Sequence, residues 1–116
     1  MKKNFYLGRK ELQLFFKQKS VGFRGKFVSM RVQRKKDAKT QFAIIISSKI
    51  HKNAVARNKT RRRIKEIIRP LKNKIKEEYN IAFFVSLSNK QAPSFNDLRY
   101  DIIYLLKKAD LLWLGE

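Results

Sequence analysis

Two short aliphatic runs, separated by a long basic segment, constrain the fold of this chain more than any other feature. The runs, 42–46 and 81–85, are far shorter than the roughly 20 apolar residues that a membrane-spanning helix needs, so we interpret them as β-strands. The segment between them has apolar residues at helical spacing. The order strand, helix, strand predicts a sheet with a helix packed against it.

The remaining elements follow from local patterns on either side of this unit. Apolar residues at helical spacing predict a first helix over 9–18, and Gly22 and Gly25 then indicate a loop. Strands are predicted over 26–33, 40–47 and 81–88, and we expect the first two to pair as a hairpin. The prediction is therefore an α+β sandwich of order α-β-β-α-β-α with a small central sheet, forming a single domain over 1–116.

Two local signals define the ends of the later helices. Pro70 lacks an amide hydrogen and clashes with the carbonyl four residues back, so we expect a kink or a break there before the helical segment continues over Leu71 to Tyr79. Ser94 and Asp97 have the spacing of a capping box and predict the start of the last helix. We expect its buried face to consist of Phe95, Leu98, Ile102, Leu105, Leu106 and Ala109.

The charge of the chain indicates a polyanionic partner. The 116 residues include 29 Lys and Arg but only 9 Asp and Glu, which gives a formal net charge of +20. Such an excess destabilises a compact fold by self-repulsion unless an anion neutralises it. The N-terminal residues carry the positive charge of a signal peptide, but no apolar region develops before Gly8 and the polar residues that follow it. We therefore expect a cytoplasmic protein. The absence of cysteine excludes disulfides, thiolate zinc sites and cysteine nucleophiles.

Most of the excess charge lies in the central segment 49–76, which has twelve Lys or Arg residues and one acid, Glu66. Asn53 is a suitable N-cap for a helix here. At 100° per residue, one face of that helix is apolar, with Ala56, Thr60, Ile64, Ile67, Ile68 and Leu71. The other face is basic, with Arg57, Asn58, Arg61, Arg62, Lys65 and Arg69. Like charges four residues apart repel, so this spacing favours a bound anion over a merely solvated face.

The segment from Ser47 to Glu66 resembles the signature of the bacterial ribonuclease P protein family, in which a strand ends in Ser-x-Lys and an Arg-Asn-x-x-(Lys/Arg)-Arg helix follows. The similarity extends at lower specificity over about 7–112. The resemblance implies an unusual left-handed βαβ crossover, as in the second domain of a small-subunit ribosomal protein. It also implies an endonuclease in which an RNA subunit holds Mg²⁺ and removes the 5′ leader of precursor tRNA, while the protein contacts both RNAs. The expected partners are that RNA and precursor tRNA, with no membrane and no small-molecule substrate.

The resemblance also implies the site residues. The motif places Arg57 and Asn58 at its centre, and the RNA-binding set becomes Lys49, Lys52, Asn53, Arg57, Asn58, Arg61, Arg62, Lys65 and Arg69. The family also uses a cleft between the first helix and the sheet, where aromatic rings stack on a single-stranded leader. The corresponding positions here are Leu12, Phe16 and Met30. Phe15 and Phe16 could each instead belong to the core.

Two other classes of function are weighed against this interpretation. A protein nuclease acting by acid–base chemistry usually uses two groups that titrate near neutrality, and this chain has one histidine, His51. The neighbouring acids, Glu77 with Glu78 and Asp97 with Asp101, are poor candidates for a metal cluster. The main rival is a ribosomal or other structural RNA-binding protein, whose basic helix would be similar in charge. A module for an acidic membrane surface or an acidic protein is a more distant alternative.

Overall fold

A computed structural model describes residues 5–48, 54–87 and 93–113 of the chain. The first helix, α1, spans Arg9–Lys17, and three strands follow: β1 over Val21–Arg24, β2 over Val28–Arg34 and β3 over Gln41–Ser48. The central helix α2 spans Ala54–Ile68 and continues into a short 3₁₀ helix over Arg69–Lys74. Strand β4 spans Tyr79–Leu87, and helix α3 spans Phe95–Lys108.

These elements confirm the α+β class and add one strand. The added strand is β1, which lies where Gly22 and Gly25 had indicated a loop. All four of its residues, Val21–Arg24, pair with residues of β2. Pro70 interrupts the central helix as predicted, since α2 ends at Ile68 and Pro70 lies in the first turn of the 3₁₀ helix. The helical geometry then ends at Lys74, so the predicted continuation to Tyr79 is wrong, and Tyr79 is instead the first residue of β4.

The sheet has the order β1-β2-β4-β3, so the predicted hairpin between β2 and β3 is wrong. Strand β4 lies between them, antiparallel to β2 and parallel to β3. The hairpin is instead formed by β1 and β2. Helix α2 connects β3 to its parallel neighbour β4, so these three elements form a βαβ crossover unit. The left-handed sense of this crossover remains a prediction.

The sheet separates two apolar clusters. On one face, β2 and β4 contribute Met30 and Phe83 to a large core. Ile64 of α2 and Ile102 of α3 belong to the same core. On the opposite face, Phe15 of α1 packs against the small residues Ala43 and Ala82. Helices α2 and α3 therefore cover one face of the sheet, and α1 covers part of the other.

A buried carboxylate fastens the β1–β2 turn to α3. Asp101, 3% exposed, accepts hydrogen bonds at Oδ2 from the backbone amides of Phe27 and Val28, the latter at 2.9 Å. The turn passes so close that a Cβ atom on Gly25 would lie 2.8 Å from the same oxygen. A side chain larger than that of glycine therefore has no room at position 25.

The start of α3 confirms the predicted N-cap. Ser94 has extended backbone geometry, and its hydroxyl accepts a hydrogen bond from the amide of Asp97 at 3.1 Å. The buried face of α3 includes four of the predicted residues, Leu98, Ile102, Leu105 and Leu106, whereas Phe95 is exposed and Ala109 is half-buried. None of the helices in the described ranges is long and apolar enough to cross a bilayer.

Candidate RNA interface

Helix α2 presents the predicted division between an apolar and a basic face. Ala56, Thr60, Ile64, Ile67 and Ile68 are buried against the sheet and α3. Asn58, Arg62, Lys65 and Arg69 are exposed, while Arg57 and Arg61 are half-buried. These six residues belong to the predicted RNA-binding set, and all of them lie on the outer side of one continuous helical segment.

Among the described residues, no acid forms an ion pair with a cation of this face. Within the described parts of the chain there are two ion pairs, Arg34 with Glu78 and Lys76 with Asp110, and both lie away from α2. Even Glu66, the acid of α2 itself, takes part in neither pair. The positive potential of α2 is consequently available to an external anion.

Arg61 has a structural contact as well as a place on the basic face. Its Nη1 donates a hydrogen bond to the carbonyl oxygen of Ile44 at 2.9 Å. Ile44 belongs to β3, which is an edge strand and would otherwise leave this carbonyl unpaired. Sequence periodicity placed Arg61 on the correct face but gave no signal of this contact.

The segment before α1 extends the interface in a way that the sequence did not indicate. Tyr6 pairs with Phe42 on the outer edge of β3, where the amide of Leu7 donates to the carbonyl of Phe42 at 2.8 Å. The Nζ of Lys65 lies 5.1 Å from the centre of the Tyr6 ring. Burial raises the pKa of the Tyr6 phenol, while the guanidinium of Arg69 acts in the opposite direction. Tyr6 thus lies beneath Lys65 and is close enough to Arg69 to feel its charge.

Two cavities lie on the opposite face of the sheet, where the resemblance predicts a cleft for the leader. Phe16 is 56% exposed, and its ring centre lies 6.2 Å from that of Phe84 on β4. Phe15, by contrast, is 2% exposed and belongs to the core. Leu12 is half-buried and packs against the cluster around Phe15, so it supports this face from within α1.

The side chain of Met30 does not point into the cleft, contrary to the prediction, although its position on β2 borders the cavity that Arg31 and Phe84 line. Its side chain is fully buried, at 0% exposed, in the large core on the other face of the sheet. Side chains alternate along a strand, so Val28, Met30 and Val32 share the core face while Ser29 and Arg31 point towards the cleft. The alternation of apolar and polar residues over 28–33 could have shown this.

Arg31 gives the cleft a cation that the sequence analysis missed. Its Nε donates to Ser20 Oγ at 2.6 Å and its Nη2 donates to the Ser20 carbonyl oxygen at 3.1 Å. Arg31 and Phe16 line one cavity of about 390 Å³, which adjoins a second cavity lined by Arg31 and Phe84. A fixed guanidinium therefore lies beside an exposed ring.

Three predicted RNA-binding residues, Lys49, Lys52 and Asn53, lie outside the described residues, as does His51. Asn53 was also the predicted N-cap of α2. The described helix begins directly after this segment, at Ala54.

The neighbouring acids considered for catalysis have other contacts. Glu77 Oε1 accepts a hydrogen bond from the amide of Thr40 at 2.8 Å, and Glu78 pairs with Arg34 at 2.7 Å. Asp97 lies in the first turn of α3, and Asp101 holds the β1–β2 turn. Within the described ranges, no three residues among His, Asp and Glu are grouped so that they could hold a metal ion.

Comparisons with known proteins agree on one family. The Ribonuclease P family model matches residues 1–110. A ribonuclease P protein component from Synechococcus sp. is 40% identical over 73 residues, which are 63% of this chain and 54% of that protein, so the match spans about half of that relative's length. The protein component from Clostridioides difficile is 34% identical over 77% of this chain and 77% of its own length. The one from Streptococcus pyogenes is 32% identical over 99% of this chain and 94% of its own length.

Solved structures show the same fold. The ribonuclease P protein of Staphylococcus aureus superposes with a TM-score of 0.78 at 19% identity, covering 100% of this chain and 98% of that one. The protein of Thermotoga maritima gives a TM-score of 0.71 at 21% identity, covering 89% and 96%. Since the family model covers nearly the whole chain, this protein belongs to the ribonuclease P protein family.

Proposed function

We propose that this protein is the RNA-binding subunit of a cytoplasmic ribonuclease P, an endoribonuclease that produces the mature 5′ end of tRNA. In this proposal the basic face of α2 binds the catalytic RNA, and the cleft beside α1 binds the 5′ leader of precursor tRNA. Membership of the family supports the role in tRNA processing. The two surfaces lie on different sides of the sheet, which allows one small protein to contact both RNAs.

The single observation that carries the proposal is the lack of internal neutralisation on α2. Arg57, Arg62 and Arg69 have no acidic partner among the described residues. Arginine suits phosphate binding because its planar guanidinium can donate two parallel hydrogen bonds. Asn58, exposed between these cations, adds a neutral donor and acceptor for sugar or base.

The leader is expected to bind by one stacking contact and one charge contact. Phe16 offers an exposed ring, and stacking of a base on an aromatic side chain contributes about 1–3 kcal/mol. Arg31, held in place by Ser20, lies on the same cavity and would bind a phosphate of the stacked nucleotide. Neither contact requires a particular base.

In this proposal the RNA subunit carries out the hydrolysis and holds Mg²⁺. The acids that could have served a protein active site are instead engaged in fold contacts, as Glu77, Glu78 and Asp101 show. Magnesium also binds phosphate oxygens readily, and a folded RNA supplies these in large numbers. The protein would then act by binding and orienting the substrate.

Reconstitution tests the proposal. The purified protein is mixed with a bacterial ribonuclease P RNA and a precursor tRNA at a low Mg²⁺ concentration at which the RNA alone is inactive. We expect cleavage at the mature 5′ end with both components, and none with the protein alone. Failure with several such RNAs, together with tight binding to ribosomal RNA, would favour the structural RNA-binding alternative.

A further inference from the structure

A cavity beside the start of β3 belongs to neither of the two surfaces described above. Its volume is about 480 Å³, within the range of pockets that bind small organic groups. Its lining includes Phe5, Ala38 and Thr40, together with Lys72 and Asn73 of the 3₁₀ helix. It lies at the end of the sheet where β3 begins, whereas α2 starts after the opposite end of that strand.

The basic face of α2 leads directly to this cavity. Helix α2 runs back along β3, because Arg61 contacts Ile44 and Lys65 lies over Tyr6, which pairs with Phe42. The next cations along the chain are Arg69 and Lys72. From Arg57 to Arg69 the helical rise alone covers roughly 18 Å, so an RNA strand bound along α2 would arrive at the cavity.

The mouth of the cavity is suited to a nucleotide. The Nζ of Lys72 lies 3.5 Å from the centre of the Phe5 ring, which fixes a cation at the rim beside an aromatic wall. Lys39, which is exposed, adds a second cation, whereas Lys72 is half-buried. Inside, Thr40 is fully used by the fold, since its amide donates to Glu77 and its hydroxyl donates to the Lys76 carbonyl. Asn73, which is exposed, offers an amide group to a ligand.

We propose that this cavity receives one unpaired nucleotide of an RNA bound along α2. The base would enter the cavity beside the Phe5 ring, and its flanking phosphates would contact Lys72 and Lys39. This inference rests on the proposed RNA-binding function of α2. The nucleotide could come from the catalytic RNA or from precursor tRNA, because both offer the same chemistry.

A matched pair of charge variants tests the rim. Lys72 lines the cavity, whereas Lys74, two residues later in the same 3₁₀ helix, does not. Lys72→Gln and Lys74→Gln remove the same charge from the full-length protein. We expect the logarithmic salt slope for binding a bacterial ribonuclease P RNA to fall by about 0.7–0.9 for Lys72→Gln and to change less for Lys74→Gln. Equal changes for the two variants would overturn the proposal.

A filling variant tests the cavity without changing the charge. Ala38→Leu places a larger apolar side chain in the space, and Asn73→Leu does so from the exposed side of the 3₁₀ helix, where folding is less sensitive. We expect at least about a fivefold loss of RNA affinity, because the inserted base would be displaced. Wild-type affinity in a filling variant that melts as a folded protein would contradict the inference.

Footprinting identifies the source of the nucleotide and separates the two proposals. A single nucleotide protected by the wild-type protein should become reactive with Asn73→Leu, either in the RNA subunit alone or only after precursor tRNA is added. No change in either footprint overturns the cavity assignment. If these variants bind normally while Arg62→Ala weakens binding, the cavity proposal fails and the function of α2 stands; if Arg62→Ala is also neutral, both fail.

Discussion

Arg61 Nη1 lies 2.9 Å from the carbonyl oxygen of Ile44 and donates a hydrogen bond to it, so a cation of the basic face also fastens α2 to the edge strand β3. The bond adds to the buried apolar face of α2 in setting the rotation of the helix, and so the direction of the neighbouring cations. Arg62 and Lys65, one residue and four residues further on, remain exposed. The basic face is therefore held in position by one of its own members.

Replacement of Arg61 should reduce both stability and RNA affinity. We expect Arg61→Ala to lower the free energy of unfolding by about 1 kcal/mol, because the hydrogen bond to Ile44 is lost. Arg62→Ala removes the same charge without that bond and should leave stability nearly unchanged. Urea denaturation of both variants measures the difference. Equal unfolding free energies would show that the contact to Ile44 contributes nothing.

The buried carboxylate of Asp101 should be far more important for stability than the exposed Asp97. Asp101→Ala leaves the amides of Phe27 and Val28 without an acceptor, at a cost of about 2–3 kcal/mol. Asp97→Ala removes only a favourable charge near the helix N-terminus, worth about 0.3–1 kcal/mol. Thermal and urea unfolding should rank the variants in that order. A reversed order would mean that the β1–β2 turn does not depend on Asp101.

The ion pair between Arg34 and Glu78 should make a small contribution to stability that depends on pH. The hydrogen bond from Arg34 lowers the pKa of Glu78 below its usual 4.5. A carboxyl group with a lowered folded-state pKa stabilises the fold above the unfolded pKa and loses this effect as the pH falls through the folded value. The wild type should thus be more stable than Glu78→Gln at pH 7. The difference should disappear as the pH falls below the ordinary pKa of 4.5 and through the lower pKa of folded Glu78. A difference in unfolding free energy between the two proteins that stays constant down to about pH 3 would refute this.

The exposed ring of Phe16 should matter for substrates that carry a leader. We expect Phe16→Ala to weaken binding of precursor tRNA by at least about fivefold, through the loss of one stacked base. Leu14→Ala is the matched control, because Leu14 is also exposed on α1 but does not line the cavity with Arg31. Affinity for mature tRNA, measured with the same holoenzyme, should not change in either variant. A similar loss for mature tRNA would assign Phe16 a different role.

Local patterns in the sequence were sufficient to predict the three α-helices, the basic face of α2 and the N-cap at Ser94. They could not predict the strand order, because β4 enters between β2 and β3 through contacts that are distant in sequence. Strand β1 was missed because Val21–Arg24 contains a glycine and gains its geometry from pairing with β2. The position of Met30 was an avoidable error, since the alternation along β2 indicates a core residue.

The contacts that organise the interface also have no local sequence signal. Tyr6 lies beneath Lys65 only because the N-terminal segment pairs with the edge of β3. Arg31 is oriented by Ser20, eleven residues earlier, across the β1–β2 hairpin. Each contact depends on how separate elements pack, which periodicity within one element does not reveal.

The salt dependence of RNA binding in α2 variants tests the central claim most directly. Binding of the full-length protein to ribonuclease P RNA is measured over a range of salt concentrations for the wild type, Arg57→Ala, Arg62→Ala and the exposed α3 variant Arg99→Ala. If α2 neutralises phosphates, each α2 variant should lower the logarithmic salt slope by about 0.7–0.9, and Arg99→Ala should not. Unchanged slopes for both α2 variants would contradict the account.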